Sequence, residues 1–223
     1  DDKIVYEYKD KFKIPRDAKV LTWVGRPGWR KRFHHIIEVF RRVRERYEGE
    51  VYLYLHTDIE EPLPHWNPYE TIYGSGCVKY VRFLGDLDFR KGVEENILNA
   101  IYNLTDVYIS PHGGEGMNLP LCEAMATETP FGATNFTTTA EFTFGGLPAK
   151  IGEMIIDRGY PRPYVDLEDM ANKILYLLNN DDEREEMGKA GKKFVTENMN
   201  AKMVCNQIES ILKLFLEVPM VEL

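Results

Sequence analysis

No run of apolar residues in this 223-residue chain approaches the roughly 20 that a membrane-spanning helix needs. Cysteine is scarce. Cys77, Cys122 and Cys205 are odd in number, far apart and in no ligand-like spacing, which argues against a disulfide scaffold and a zinc cluster. They read as reduced thiols of a cytoplasmic protein. His34, His35, His56 and His65 show no metal spacing either, so no metal site is expected. Positive charge is in deficit: a net charge of −8 disfavours general nucleic-acid binding. Internal repeats and low-complexity tracts are lacking. A Walker A segment is also missing, as is a Gly-x-Gly-x-x-Gly fingerprint after the first strand, which disfavours nicotinamide or flavin binding. The chain starts at Asp1 with no signal-peptide pattern, so it is expected to be a piece of a longer protein.

What is present fits a folded globular domain, with 43% hydrophobic and 29% charged residues. Residues 1–223 are expected to form one large domain with its own core. Charge is unevenly spread: residues 1–50 hold 14 Lys/Arg against 9 Asp/Glu, so the rest is strongly acidic. A local cluster, Arg26, Arg30, Lys31 and Arg32, on an acidic chain suits a small anionic ligand better than a long polyanion. Arg41, Arg42, Arg44 and Arg46 fall on a helix with Glu38, Glu45 and Glu48 nearby and read as a solvated face.

Strand-like and helix-like segments alternate. Strands are expected at Val20–Val24, Val51–His56, Val78–Leu84, Val107–Ser110, Pro130–Ala133 and near Met154–Ile156. Helices are expected at Phe33–Tyr47, Gly92–Leu104, Leu119–Ala126, Leu167–Asn179, Asp182–Glu197 and Ala201–Glu217, with Asp166 and Asp181 as N-caps. Asp58–Gly76, with three prolines, reads as an irregular excursion. The alternation implies βαβ units and hence an α/β fold with a doubly wound parallel sheet. In such sheets ligands bind beyond the carboxyl ends of the strands. Gly25, Arg26 and Lys31 follow the first strand, and His112, Glu115 and Glu123 the fourth. Thr134, Asn135 and Thr137–Glu141 follow the fifth. They therefore share one edge.

The segment Ser110–Ala126 concentrates the chemistry. A strand, a glycine-rich turn and a helix start form an anion cradle, because free backbone N–H groups and the helix dipole converge there. Glu115 and Glu123 flank the turn. A carboxylate repels phosphate but accepts hydrogen bonds from sugar hydroxyls. Phosphate plus hydroxyls points to a nucleotide sugar.

These residues resemble the C-terminal, donor-binding half of GT-B-fold retaining glycosyltransferases of family 4. Val24-Gly-Arg26 with Lys31 is similar to the family's Gly-Arg…Lys segment, and Glu115–Glu123 to its Glu-x7-Glu motif. Ala133-Thr-Asn…Glu141 and the tail with Met187-Gly-Lys-Ala-Gly continue the likeness, which covers roughly residues 15–200. The resemblance implies a Rossmann-like domain that binds a UDP-, GDP- or ADP-linked sugar and needs no cofactor. It places Arg26 and Lys31 on the diphosphate, Glu115 on the transferred sugar and Glu123 on the ribose. Arg26, Lys31 and Glu115 would carry the chemistry. Gly25, His112, Gly114, Gly116, Met117, Asn118, Leu119, Thr138 and Thr139 would line the donor site, with Glu141 near the nucleoside end. Asn118 stands where the family has glycine, and Asn tolerates left-handed backbone angles.

A GT-B enzyme has a second, N-terminal domain for the acceptor, which is expected as the partner of this one. The last helix, within 201–223, would pack on it through Leu212, Leu214, Phe215 and Leu216. Two other readings stay open: a GT-B-fold nucleotide-sugar epimerase domain, or a non-catalytic binding domain that keeps the fold.

Overall fold

The computed structural model describes residues 2–58, 67–84, 92–142 and 144–217, apart from the side chains of Asp2, Leu216 and Glu217. Residues 59–66 of the expected excursion, with His65, and the tail 218–223 lie outside the described residues. So does the expected contact of Leu216.

Short, β-branched and aromatic runs become strands here because helices cover both faces of the sheet they form. β1 (Lys19–Val24), β2 (Val51–His56), β3 (Val81–Phe83), β4 (Val107–Ser110), β5 (Phe131–Thr134) and β6 (Gly146–Ala149) are ordered β3-β2-β1-β4-β5-β6. Every neighbouring pair is parallel. Side-chain alternation divides the core. Leu21 and Trp23 of β1 join the apolar stripes of α2 (Phe33–Arg46), α3 (Pro68–Gly74) and α6 (Leu167–Asn179). Val20 and Val24 join α1 (Asp2–Lys11), α4 (Glu95–Asn103), α5 (Leu119–Ala126) and α7 (Asp181–Asn198) on the other face. Phe40 of α2 is fully buried, and truncating such a residue to Ala costs about 3–5 kcal/mol. This is the doubly wound, Rossmann-like α/β architecture of a GT-B half.

The strand order reverses between β1 and β4, which is where such sheets open a crevice. Here the opening is visible in the register. β1 and β4 pair only at Leu21↔Val107 and Thr22↔Tyr108, although the strands run on to Val24 and Ser110. The Tyr108 hydroxyl donates to the Val24 carbonyl across the gap (3.4 Å).

Six elements differ from the sequence expectation: α1, α3, β3, β6 and the two strands of a hairpin. α1 was not anticipated, since charged residues obscure its apolar side; Lys9 fastens the chain after it by donating to the Arg16 and Ala18 carbonyls (both 2.8 Å). The excursion contains α3, started by Pro68 and capped by the Asn67 side chain, which accepts from the Tyr69 N–H (2.9 Å). Val78–Tyr80 is a 3-10 turn, leaving β3 only three residues. Met154–Ile156 is not a strand of the main sheet. It lies in β7 (Ile151–Asp157), paired antiparallel with β8 (Tyr160–Val165) as a separate hairpin. The sixth sheet strand is instead β6, whose Pro148 is tolerated because β6 sits at the sheet edge. Asp166 caps α6 as expected, accepting from Glu168 and Asp169 N–H (both 3.0 Å), but Asp181 is inside α7 and Asn180 precedes it.

α8 (Ala201–Glu217) follows α7, and Ile208, Ile211, Leu212, Leu214 and Phe215 on it are exposed. Among the described residues no helix is long and apolar enough to cross a membrane.

Candidate functional site

The crevice between β1 and β4 is bordered by two loops. The first leaves β1 at Gly25, carries Arg26 exposed at its rim, and closes in a 3-10 turn, Trp29–Lys31. Arg32 ends that turn in the left-handed region (φ 53°) and α2 begins directly after it. Such an angle at a residue with a long side chain is strained, which marks the position as functionally interesting.

The second loop, His112–Asn118, leaves β4. Gly114 has φ 125°, which L-residues rarely adopt. Gly113 leaves room for Arg32: a Cβ there would stand 3.1 Å from its Nε. The loop is pinned from several sides. The Gly113 N–H donates to the Arg30 carbonyl (2.8 Å), and Arg162 of β8 donates to the Gly113 carbonyl (3.1 Å). From the 3-10 turn after β5, Thr137 Oγ1 accepts from the Glu115 N–H (2.9 Å) and Thr138 donates to the Glu115 carbonyl (3.1 Å) and to the Gly116 carbonyl. α5 then starts from Asn118, whose φ of 55° bears out the left-handed angle expected of it. Asn118 is buried and its Nδ2 donates to Ser110 Oγ (3.3 Å).

Glu115 is the centre of the charge pattern. Its side chain is 6% exposed and lies between two cations, with Arg30 Nη1 at 2.5 Å and Lys31 Nζ at 2.7 Å. Arg30 also donates to the Gly114 carbonyl. Burial raises the Glu115 pKa, and the bonds from Arg30 and Lys31 outweigh that, leaving it below the ordinary carboxylate value. It is therefore a fixed carboxylate.

His112 is fully buried in the same loop. Its Nδ1 accepts from the Gly114 N–H (3.0 Å), so the ring proton belongs on Nε2, which lies 2.6 Å from Thr139 Oγ1. Burial chiefly, with Lys31 and Arg30 nearby, lowers its pKa to about 4. It is a neutral strut at pH 7 rather than an exposed loop histidine. Glu123, one turn into α5, is exposed and accepts from the Tyr102 hydroxyl (2.7 Å).

The sequence candidates thus divide. Lys31, His112, Gly114, Glu115, Thr138 and Thr139 are linked by direct contacts, and Asn118 lies buried beside them. Arg26, Gly116, Met117, Leu119 and Glu123 are exposed around them, and Gly25 is half-buried at the end of β1. Sequence reasoning did not place Arg30 on Glu115, though its position next to Lys31 was a signal. Nothing in the sequence signalled Arg162, which reaches the loop from the β7–β8 hairpin. Among the described residues no group of three or more His, Cys, Asp or Glu is placed to hold a metal ion.

Comparison with known proteins agrees with the fold. Trehalose synthase of Thermococcus litoralis is 29% identical over 195 residues, which are 85% of this chain and 42% of that protein. This chain therefore spans well under half the length of that relative. Among solved structures, the C-terminal domain of the glycosyl transferase group 1 protein LpcC from Francisella tularensis superposes with a TM-score of 0.67 at 19% identity, covering 88% of this chain and 92% of that one. Anabaena HepE in complex with UDP superposes with a TM-score of 0.74 at 15% identity, covering 95% and 52%. At these identities the likeness is one of fold. The sequence model of the family described as glycosyl transferases group 1 matches residues 18–180, and the chain belongs to that family.

Proposed function

We propose that this chain is the donor-binding half of a retaining family 4 hexosyltransferase, which moves a sugar from a nucleoside-diphosphate sugar to an acceptor. The observation that carries the reading is Glu115, a buried carboxylate held by Arg30 and Lys31 at the crevice where the strand order reverses. Ionised carboxylate and fixed cations side by side match a ligand with both hydroxyls and phosphate. The fold shared with HepE, solved with UDP, supports a nucleotide as the ligand.

On this reading Lys31 and Arg26 take the diphosphate. As the glycosidic bond breaks, negative charge builds on the leaving group, and fixed cations stabilise that state more than the ground state. Lys31 exchanges part of its bond with Glu115 for phosphate. Glu115 accepts from the transferred sugar, and Glu123, oriented by Tyr102, accepts from the ribose. The loop Gly114–Leu119 and the hydroxyls of Thr138 and Thr139 border the phosphates, with His112 holding the loop's shape. No cofactor is assigned. An epimerase would need a group that moves protons near neutral pH. His112, with its pKa near 4 and both nitrogens engaged, and Glu115, locked between cations, are poor candidates.

Residues 1–223 form one domain on this reading, and α8 packs on a separate acceptor-binding domain. Its exposed Leu212, Leu214 and Phe215 and the chain's share of its relatives' length support this. Calorimetric titration with UDP, GDP and ADP, with and without magnesium, tests the proposal. One of the three should bind without metal. Lys31→Ala should weaken that diphosphate by roughly tenfold or more while leaving the matching nucleoside nearly unchanged. Equal losses for both would remove Lys31 from the diphosphate.

A further inference from the structure

Arg32 is the least explained charge in the fold. It is fully buried, and Nε, Nη1 and Nη2 all lack a hydrogen-bond partner among the described residues. Its guanidinium lies 4.3 Å from the centre of the Tyr164 ring and 5.4 Å from that of Trp29. Two aromatic faces soften the loss of water but do not replace hydrogen bonds or a counter-ion. Arg162, and not Arg32, donates to the Gly113 carbonyl (3.1 Å) and pairs with Asp157 (3.2 Å). Glu115 is likewise committed to Arg30 and Lys31. Arg30, Lys31, Arg32 and Arg162 thus meet two carboxylates, both engaged, around one glycine loop.

Stability does not account for this arrangement. An apolar side chain of similar length would fill the same space without burying a charge, and such replacements are often neutral or stabilising. Its backbone, at φ 53°, is strained as well. What the arrangement does provide is a positive charge shut off from water and hydrogen-bonded to no carboxylate among the described residues, with Asp157, itself held by Arg162, the one carboxylate whose charge reaches it. Arg32 packs on the back of Gly113, two residues before Glu115. Charges act over such distances far more strongly inside a protein than in water.

We propose that Arg32 is a positioning residue for the donor: a buried counter-charge that raises affinity for the diphosphate through the glycine loop without touching it. This rests on the donor-site reading above. Arg32 sets how strongly the site prefers a nucleoside diphosphate to the uncharged nucleoside. Arg26 and Lys31 carry the direct contacts, and Arg32 supplies charge that Glu115 has partly cancelled on Lys31.

The test compares the 223-residue chain with its Arg32→Met, Arg32→Gln and Arg32→Lys variants, titrated with UDP, GDP and ADP and with uridine, guanosine and adenosine. Thermal unfolding of each variant reports whether it folds. Arg32→Met and Arg32→Gln should lose about tenfold in affinity for the preferred diphosphate and less than twofold for its nucleoside. Arg32→Lys should stay close to the parent, because it keeps the charge. Arg32→Met should also unfold at the same or a higher temperature than the parent. If Arg32→Met does not fold, the comparison of Gln with Lys carries the result. A diphosphate-to-nucleoside ratio unchanged by loss of the charge, or lowered equally by Lys, overturns the role of Arg32 alone. A parent chain that binds none of the three diphosphates overturns the donor-site reading and this inference with it.

Discussion

The two ends of α2 carry arginines that look alike in sequence and have opposite surroundings. Along the helix, Arg41 pairs with Glu38 (2.8 Å) and Glu45 (2.5 Å), Arg42 with Glu38 (3.0 Å) and Glu168 (2.7 Å), and Arg46 with Glu168 (2.5 Å). These side chains are about a third exposed. Before the helix, Arg30 and Lys31 share one buried carboxylate, and Arg32 is hydrogen-bonded to none among the described residues. Arginine on a helix face is satisfied locally, at i+3 and i+4 spacing, and by the neighbouring α6. Arginine in the crevice is left short of negative charge, at a cost in stability. The first cluster is explained by solubility, and the second, on the proposed reading, by the donor diphosphate.

The sharpest way to break this contrast is to remove the shared carboxylate. Glu115→Gln keeps the shape but leaves Lys31, whose side chain is 18% exposed, without its counter-charge. Loss of one partner of a fully buried pair costs 3–5 kcal/mol, and the partial exposure of Arg30 reduces that here. Urea unfolding without ligand should show a loss of about 2–3 kcal/mol. A loss under about 0.5 kcal/mol, the size expected of a surface pair, would erase the contrast. The Glu115 pKa is lowered in the fold, so its contribution is present above the unfolded carboxylate range and is lost as pH falls through the depressed folded value.

A second way uses protons. His112 titrates near 4 in the fold and near 6.5 when unfolded, so between these values the unfolded chain binds more protons. Stability from this group is complete above about pH 6.5 and falls as the pH drops towards 4. Between pH 7 and pH 5 the parent should lose about 2 kcal/mol through His112, a loss that His112→Gln lacks. His35, lowered to about 3 chiefly by burial, adds a loss of the same sign in both proteins. Identical pH slopes for parent and variant would mean that His112 is not the buried neutral strut seen here.

How much of this was legible in sequence depended on distance along the chain. β1, β2, β4, β5, α5 and the left-handed Asn118 could be read because turn chemistry and periodicity are local signals. Lys31 and Glu115 could be nominated separately, since each follows a strand, and the shared edge of a doubly wound sheet brought them together. That Arg30 would take the second oxygen of Glu115 depends on the 3-10 turn Trp29–Lys31, which aims successive side chains differently. Arg162 and Tyr164 were beyond reach because the hairpin β7–β8 leaves the main sheet, and only tertiary packing lays it against Gly113 and Arg32. β6 was missed for a related reason: a Gly-Leu-Pro-Ala strand is acceptable only at an edge, and edge position is a property of the whole sheet.

The smallest expected effect completes the contrast from the other side. Arg46 reaches Glu168 and the Asn172 side chain (2.9 Å) from the end of α2, on a face remote in sequence from the glycine loop. Its exposure lets water and salt compete for both partners, so the pair contributes little. Arg46→Ala should shift the urea midpoint barely, and less still in 1 M salt. It should leave the binding of whichever diphosphate the parent prefers unchanged. A loss of diphosphate affinity in Arg46→Ala as large as in Arg32→Met would mean that net positive charge, wherever it lies, sets the affinity. An effect confined to the buried arginine would mean that its place behind Gly113 does.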